Sequence, residues 1–407
     1  MNIFVVPSWY PSKDHPINGS FIYEQLVMFC GIYPHVKVGV SLWGQKNESN
    51  LLYVKDHLKN IKKLVSANMA EYKTSVLPNL VEYHKPTFTW TRKINKGNIQ
   101  NIVRACVTNL KRFESDFGNV DVIHAHCGYP GGYIAMEISK QLAIPYIITE
   151  HLGLFPSSLV TDKRGCILPL YLKPYLFSEA NIAVSPFHAT ELEKASIPKV
   201  QVIANFIDES SFKLAEPQDK NGQEFLFFTL SKIASSKGTD QLLYAIKNVV
   251  QQKKHVKFKI GGDGPHSDSF KRLASFLKIE KHVEWLGEIP RDQAVAEFQK
   301  CDAFVLPSIY ESMGIVYIEA LACGKPIIAT KCGGPESTVT QFNGLLVDKN
   351  NVEELSKAML YLLDNYGRFN TQQIRNDFLE RFSSNAVVPK LYELYSKISS
   401  SSLEHTP

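Results

Sequence analysis

The chain has 407 residues, of which 44% are hydrophobic and 21% charged, and a formal net charge of +5. That length exceeds one ordinary core and implies two domains, while the composition is that of a soluble globular protein. No apolar run approaches the roughly 18–20 residues that would span a bilayer, and seven scattered cysteines without a Cys-x-x-Cys pair exclude both a disulfide framework and a thiolate metal site.

The opening, Met1 to Pro7, lacks a basic leader and reads as a first strand, so no signal peptide and a reducing cytoplasm are expected. Short apolar, β-rich runs then recur, each followed by a helical pattern. They fall at residues 3–6, 36–40, 122–125, 146–148, 181–184 and 200–203. A second set falls at residues 225–230, 258–260, 283–286, 303–306, 326–329 and 344–347. Near-continuous apolar strands alternating with helices imply parallel sheets covered on both faces. Two sets of six predict two doubly wound α/β domains, with a linker in the polar stretch 205–221.

Residues 41–120 are long for a crossover and are expected to hold helices around a basic, aromatic loop at 84–93. Ile99, Ile102, Val103, Cys106, Leu110 and Phe113 fall at helical spacing there. A last helix, about 386–398, carries Val387, Val388, Leu391, Leu394 and Tyr395 on one side. Charge is uneven: residues 1–205 hold 21 Lys and Arg against 15 Asp and Glu, and residues 206–407 hold 24 against 25. The basic half suits an anionic membrane surface or a phosphate-bearing acceptor, and equally an ordinary solvated surface.

Open α/β sheets bind ligands at the carboxyl ends of their strands, so the chemistry is sought there. Residues 303–323 run strand, loop, helix. Glu311, Ser312 and Met313 lie in the loop, Gly314 allows a close turn, and the amides at Ile315 can cradle a diphosphate. Glu319 is the only charged residue of that helix, and a buried carboxylate needs partners; ribose hydroxyls or a neighbouring loop would serve. Glu311, eight residues earlier, can accept from sugar hydroxyls or stabilise positive charge at an anomeric carbon.

Lys232 and Lys237 straddle a loop of small residues after the strand at 225–230, where they would neutralise a departing diphosphate. Alone, they read more readily as surface lysines near a helix start. Gly262, in Gly261-Gly262-Asp263-Gly264-Pro265, marks a tight turn at a strand end but no dinucleotide fingerprint. In the first half Gly19 offers a backbone approach to phosphate. His124, His126, Glu150 and His151 lie at strand ends but lack metal-ligand spacing. His126, Glu150 and His151 are assigned to a sugar or acceptor, with His124 open between that role and a structural one.

Glu311 to Glu319 forms a Glu-x7-Glu motif. With Gly262 to Pro265, Lys237-Gly238, residues 204–208 and Gly333-Gly334-Pro335-Glu336, the chain resembles retaining glycosyltransferases of family four. Its opening, Ser8-Trp9-Tyr10-Pro11 with Pro16, Gly19, Phe21, Glu24 and Gln25, is similar to bacterial members. The resemblance covers about residues 1–396. It implies the GT-B fold: two Rossmann-like domains facing a central cleft, an acceptor domain at 1–205 and a donor domain at 206–385. The helix at 386–400 would return to the first domain.

By the same resemblance Glu319 binds the donor ribose, Glu311 the transferred sugar and Lys237 the diphosphate, with Lys232 standing where the family usually has arginine. It further implies no metal, a UDP or GDP sugar as substrate rather than any cofactor, and retained anomeric configuration. The expected reaction is hexosyl transfer to a glycan or lipid-linked acceptor in bacterial surface-polysaccharide synthesis. It would take place in the cytoplasm or at the inner face of the membrane, without nucleic acid. The rivals are a GT-B nucleotide-sugar epimerase and a nucleotide-sugar-binding protein that has lost catalysis. A nicotinamide dehydrogenase is disfavoured by the missing fingerprint.

Overall fold

The computed structural model describes residues 1–13, 15–45, 51–52, 69–90, 95–157, 160–215 and 224–404. The chain divides into two compact units: residues 1–184, 189–203 and 388–407 form the first, and residues 185–188 and 204–387 the second. Each is built on a parallel sheet wrapped by helices.

The strands of the first unit are β1 (Asn2–Pro7), β2 (Lys37–Leu42), β3 (Leu51–Leu52), β4 (Tyr72–Leu77), β5 (Leu80–His84), β6 (Thr89–Trp90), β7 (Val122–His126), β8 (Tyr146–Glu150), β9 (Ala180–Ala183) and β10 (Val200–Val202). Eight of them order as β10-β9-β8-β7-β1-β2-β5-β4, parallel except for the β4–β5 pair, while β3 and β6 pair separately. β1 lies between β2 and β7, so the sheet winds outward both ways from it. Its central strands are apolar because both faces are covered: Phe4, Val5, Ile123 and Ile147 are fully buried. Each such side chain contributes about 1.5–3 kcal/mol on leaving water.

The strand at the sheet edge departs from expectation. The sequence predicts helices and a loop over residues 41–120, yet β4 and β5 lie within them. β4 is mostly exposed and carries Lys73, Thr74 and Ser75 in succession, so it has no apolar run. Pairing decides its conformation instead, helped by the turn before β5. There the buried Asn79 amide donates to Cys30 O and Val36 O, both at 3.0 Å. Of the expected loop at 84–93, residues 91–93 lie outside the described residues. The predicted helix is present as Asn95–Phe117, and its apolar side, Ile99 to Phe113, is buried. The final helix, Ser384–Glu404, belongs to the first unit from residue 388. Tyr392 stacks on Tyr33 at 4.1 Å, and Tyr395 meets Phe29 edge-on.

The second unit contains β11 (Phe225–Leu230), β12 (Val256–Gly261), β13 (Val283–Gly287), β14 (Ala303–Leu306), β15 (Ile327–Lys331) and β16 (Gly344–Asp348). The order is β13-β12-β11-β14-β15-β16, all parallel. This is the doubly wound order, with its reversal between β11 and β14, where such sheets take their ligands. Aromatic packing fixes the centre: Phe227 of β11 stacks on Phe258 of β12 at 5.2 Å. Among the described residues no helix is long and apolar enough to cross a membrane.

Candidate active site

The second unit's site grows from the two loops that leave β11 and β14. After β11 the chain makes a short turn, Ser235–Lys237, ended by Gly238 at φ +66. A Cβ on Gly238 would stand 2.0 Å from Pro307 O, so only glycine lets this turn rest on the loop after β14. Ile309 N donates to Ser236 O at 2.9 Å and seals the two loops together. That contact brings Lys237 Nζ to 2.6 Å from Glu311 Oε1. The side chains keep 28% and 11% of their exposure. The pair is therefore charged, partly wet and reachable.

Glu311 is held from several sides. Buried Ser308 donates its hydroxyl to the same Oε1 at 2.8 Å. The Glu311 carbonyl accepts from Gly334 N at 2.8 Å. Gly334 packs against the loop so closely that a Cβ there would lie 2.4 Å from Met313 Cα. The Glu336 carboxylate holds Gly333 N at 2.8 and 3.1 Å. Residues 333–336 thus act as a clamp on residues 311–313. Ser312 O accepts from Ser185 Oγ, and buried Met313 receives Asn205 N at its sulfur at 3.3 Å. Ser312 and Met313 therefore present backbone along the site and anchor it by their contacts. Gly314, at φ +85, turns the chain into the helix Ile315–Ala322. The first amides of a helix have no carbonyl partner within it and attract anions.

Gly262, at φ +109, has a role that spacing did not reveal. A Cβ on it would come within 1.8 Å of Ser231 O. Its bareness lets the loop after β11 fold over the end of β12, with Ile233 N donating to Asp263 O at 3.0 Å. The glycine shapes the loop that carries Lys232. Lys232 itself is exposed and has no ion pair among the described residues. Glu319, 2% exposed, has a partner that sequence reasoning missed: Arg291 donates to its Oε1, while Oε2 is buried without a hydrogen-bond partner among the described residues.

The first unit places its candidates at the ends of β1, β7 and β8. Gly19, at φ +72, opens the helix Ser20–Ile32, and a Cβ there would be 2.8 Å from Trp9 O. His126 ends β7, and its Nδ1 lies 2.9 Å from His151 Nε2; the rings are nearly parallel. One ring nitrogen donates and the other accepts, so the pair needs no charge. Burial pushes the His126 imidazole down to about 3, which keeps it neutral. Its Nε2 is buried and without a hydrogen-bond partner among the described residues. The Phe21 ring meets His151 edge-on at 4.9 Å.

His124 resolves as structural. Both its nitrogens are taken, Nδ1 by the Tyr395 hydroxyl at 2.6 Å and Nε2 by the Thr149 hydroxyl at 2.7 Å. Burial, followed by the neighbouring His126 and His151, holds its imidazole well below the ordinary value. Glu150 requires a correction. Its carboxylate is 1% exposed and fully occupied: Gly128 N at 3.0 Å and Tyr175 OH on Oε2, His151 N at 2.9 Å and Leu152 N at 2.7 Å on Oε1. With its acceptor capacity spent on two loops, Glu150 aims His151 and is not itself an acceptor-binding group. No group of three or more His, Cys, Asp or Glu that could hold a metal occurs among the described residues.

The sequence profile described as Glycosyl transferases group 1 matches residues 210–385, and that described as Glycosyltransferase Family 4 matches residues 70–211. An uncharacterized glycosyltransferase of Methanocaldococcus jannaschii is 27% identical over 78% of this chain and 91% of its own length. A GDP-mannose-dependent monoacylated alpha-(1-6)-phosphatidylinositol monomannoside mannosyltransferase of Corynebacterium glutamicum is 31% identical over 42% of this chain and 48% of that protein. Among solved structures, sucrose-phosphate synthase from Thermosynechococcus elongatus superposes with a TM-score of 0.75 at 16% identity, covering 98% of this chain and 99% of that one. Anabaena HepE in complex with UDP gives 0.70 at 18% identity, covering 98% and 100%.

Proposed function

Since the chain belongs to the family-four glycosyltransferases of GT-B fold, we propose that it moves a hexosyl group from a UDP or GDP sugar to a glycan or lipid-linked acceptor, with retained configuration. The pathway is cell-surface polysaccharide synthesis at the cytoplasmic face of the membrane. The observation that carries this reading is the Lys237–Glu311 pair at the reversal point of the second sheet, beside the amino end of the helix Ile315–Ala322. In the reaction the bond between the anomeric carbon and the diphosphate oxygen breaks. The acceptor oxygen forms the new bond, and its proton leaves with the nucleoside diphosphate. Negative charge grows on the departing oxygen, where Lys237, Lys232 and the helix amides stabilise it more in the transition state than before. Positive charge grows on the sugar, where Glu311 opposes it.

Glu319 accepts from the ribose, and His126 with His151 supplies neutral hydrogen bonds to sugar or acceptor hydroxyls. With cations and amides provided by the chain, no metal is required. Two further features support a lipid-linked acceptor. The Corynebacterium relative acts on a phosphatidylinositol mannoside, and an Alpha-monoglucosyldiacylglycerol synthase of Streptococcus pneumoniae is 27% identical over 56% of this chain and 54% of that protein. The segment after β8 exposes Leu152, Leu154, Leu168, Leu176 and Phe177, with Lys163, Arg164 and Lys173 exposed among them. Apolar side chains interleaved with cations suit the surface of an anionic bilayer.

The deciding experiment incubates the protein with UDP and GDP sugars, with and without acceptor glycolipids. Nucleoside diphosphate released only with acceptor, and a product bond of the donor's anomeric configuration by NMR, support the reading. Sugar isomerised without acceptor identifies an epimerase, and binding without turnover a receptor. Flotation with phosphatidylglycerol vesicles, but not with phosphatidylcholine vesicles, tests the surface.

A further inference from the structure

Glu319 sits on a helix that is otherwise apolar and almost wholly buried. A carboxylate buried in such a place needs a cation or hydrogen-bond donors beside it. The cation is Arg291, the first residue of the helix Arg291–Lys300, fixed behind Pro290. One guanidinium nitrogen donates to Glu319 Oε1, and the guanidinium lies over the Phe212 ring, 4.7 Å from its centre. Phe212 is 1% exposed and packs in turn on Phe298 of the same arginine's helix. Three segments far apart in sequence therefore fix one side chain.

The pairing is one-sided. A guanidinium can bind both oxygens of a carboxylate side by side, yet of the two Glu319 oxygens Arg291 holds Oε1 alone. Oε2 is buried and has no hydrogen-bond partner among the described residues. A buried carboxylate oxygen left open is an uncommon arrangement that a ligand hydroxyl would complete.

We propose that Arg291 is a positioning residue for the nucleotide ribose: it holds the Glu319 carboxylate by occupying Oε1, and so leaves Oε2 as the acceptor for a ribose hydroxyl. The inference rests on the ribose reading of Glu319 given above. Arg291 acts through the glutamate and not on the donor itself. Its removal should therefore be felt only by ligands that carry the hydroxyls.

Calorimetry on the purified full chain tests this with UDP, GDP and the 2′,3′-dideoxy counterpart of whichever binds the wild type more tightly. Arg291→Gln should weaken binding of the ribonucleotide by roughly tenfold or more, the scale of a hydrogen bond to a charged group. The dideoxy nucleotide should bind as it does to the wild type. Arg291→Lys should recover part of the loss, because charge returns without the planar fork. Glu319→Ala should show the same selectivity for the ribonucleotide. If Glu319→Ala weakens both nucleotides alike, or neither, the ribose reading falls and the proposal with it. If Glu319→Ala is selective while Arg291→Gln is not, the ribose reading stands and the positioning role is overturned. Should Arg291→Gln fail to fold, Arg291→Lys decides alone: a loss confined to the ribonucleotide supports the role, and an equal loss for both overturns it.

Discussion

The two units use one architectural device for opposite electrostatics. In each, the loops at the reversal of a parallel sheet carry the candidate residues. In the second unit those residues are ions: Lys237 and Glu311 face each other at 2.6 Å, partly in water. In the first unit they are imidazoles: His126 and His151 share a hydrogen bond at 2.9 Å, and burial denies His126 a second ring proton. A partly hydrated ion pair can exchange partners with a diphosphate at little cost. An imidazole pair that shares its hydrogen bond in this way can orient hydroxyls without competing for the phosphate. On the proposed function, leaving-group chemistry falls to the second unit and hydroxyl recognition to the first.

The largest effect that would sharpen this contrast is on turnover. Lys237→Ala should lower kcat by roughly 10²–10³-fold, the scale seen when one oxyanion donor is removed, with little change in acceptor affinity. Near-normal kcat at saturating donor would make Lys237 an ordinary surface residue and erase the distinction. Lys232→Arg should be tolerated or should tighten donor binding, since the charge is kept and the fork gained.

The next effect is on stability and belongs to the first unit. Glu150→Ala leaves three backbone amides and the Tyr175 hydroxyl without their buried acceptor. A loss of about 3–5 kcal/mol is expected from a broken buried charged network, read by urea unfolding. Unchanged stability with weaker acceptor binding would return Glu150 to the acceptor site.

A smaller effect depends on pH. His126 in the folded protein titrates at about 3, against 6.5 ordinarily. Below pH 6.5 the unfolded chain takes up the proton and the folded one does not. Its contribution to stability is therefore whole above pH 6.5 and fades as pH falls towards 3. By linkage the loss at pH 5 is about 2 kcal/mol. Between pH 7.5 and 5.0, Tm should fall further in the wild type than in His126→Gln. Equal falls would mean that the imidazole is hydrated and the two units are less different than drawn. The smallest expected effect is none: activity should survive exhaustive chelation by EDTA. Loss of activity, restored by magnesium or manganese, would move the diphosphate's charge compensation from the lysines to a metal.

Much of the frame was legible because apolar runs follow burial. All twelve runs read from the sequence coincide with strands of the two sheets, since a strand covered on both faces must be apolar throughout. β4 escaped because it is exposed on one edge and its pairing, not its composition, makes it a strand. Within the site, Glu311, Lys237 and Glu319 stood out because a charge in an apolar or small-residue setting is conspicuous. Ser308, Arg291 and Tyr395 did not. Ser308 is one serine among many, Arg291 begins an ordinary polar helix, and Tyr395 looked like one more apolar contact of the last helix.

What the sequence determined by itself was therefore the alternation of strand and helix, and the kinds of residue placed at the strand ends. Both follow from local rules of periodicity and turn chemistry, which act over a few residues. Tertiary structure decided which of those residues meet. The Lys237–Glu311 contact spans 74 residues, the Arg291–Glu319 contact 28 and the His124–Tyr395 contact 271. Such partnerships arise from the order of strands in a sheet and the packing of helices upon it. It is this packing that made Glu150 a loop tie and left one oxygen of Glu319 open, because hydrogen-bond satisfaction is settled by three-dimensional neighbours and not by neighbours in the chain.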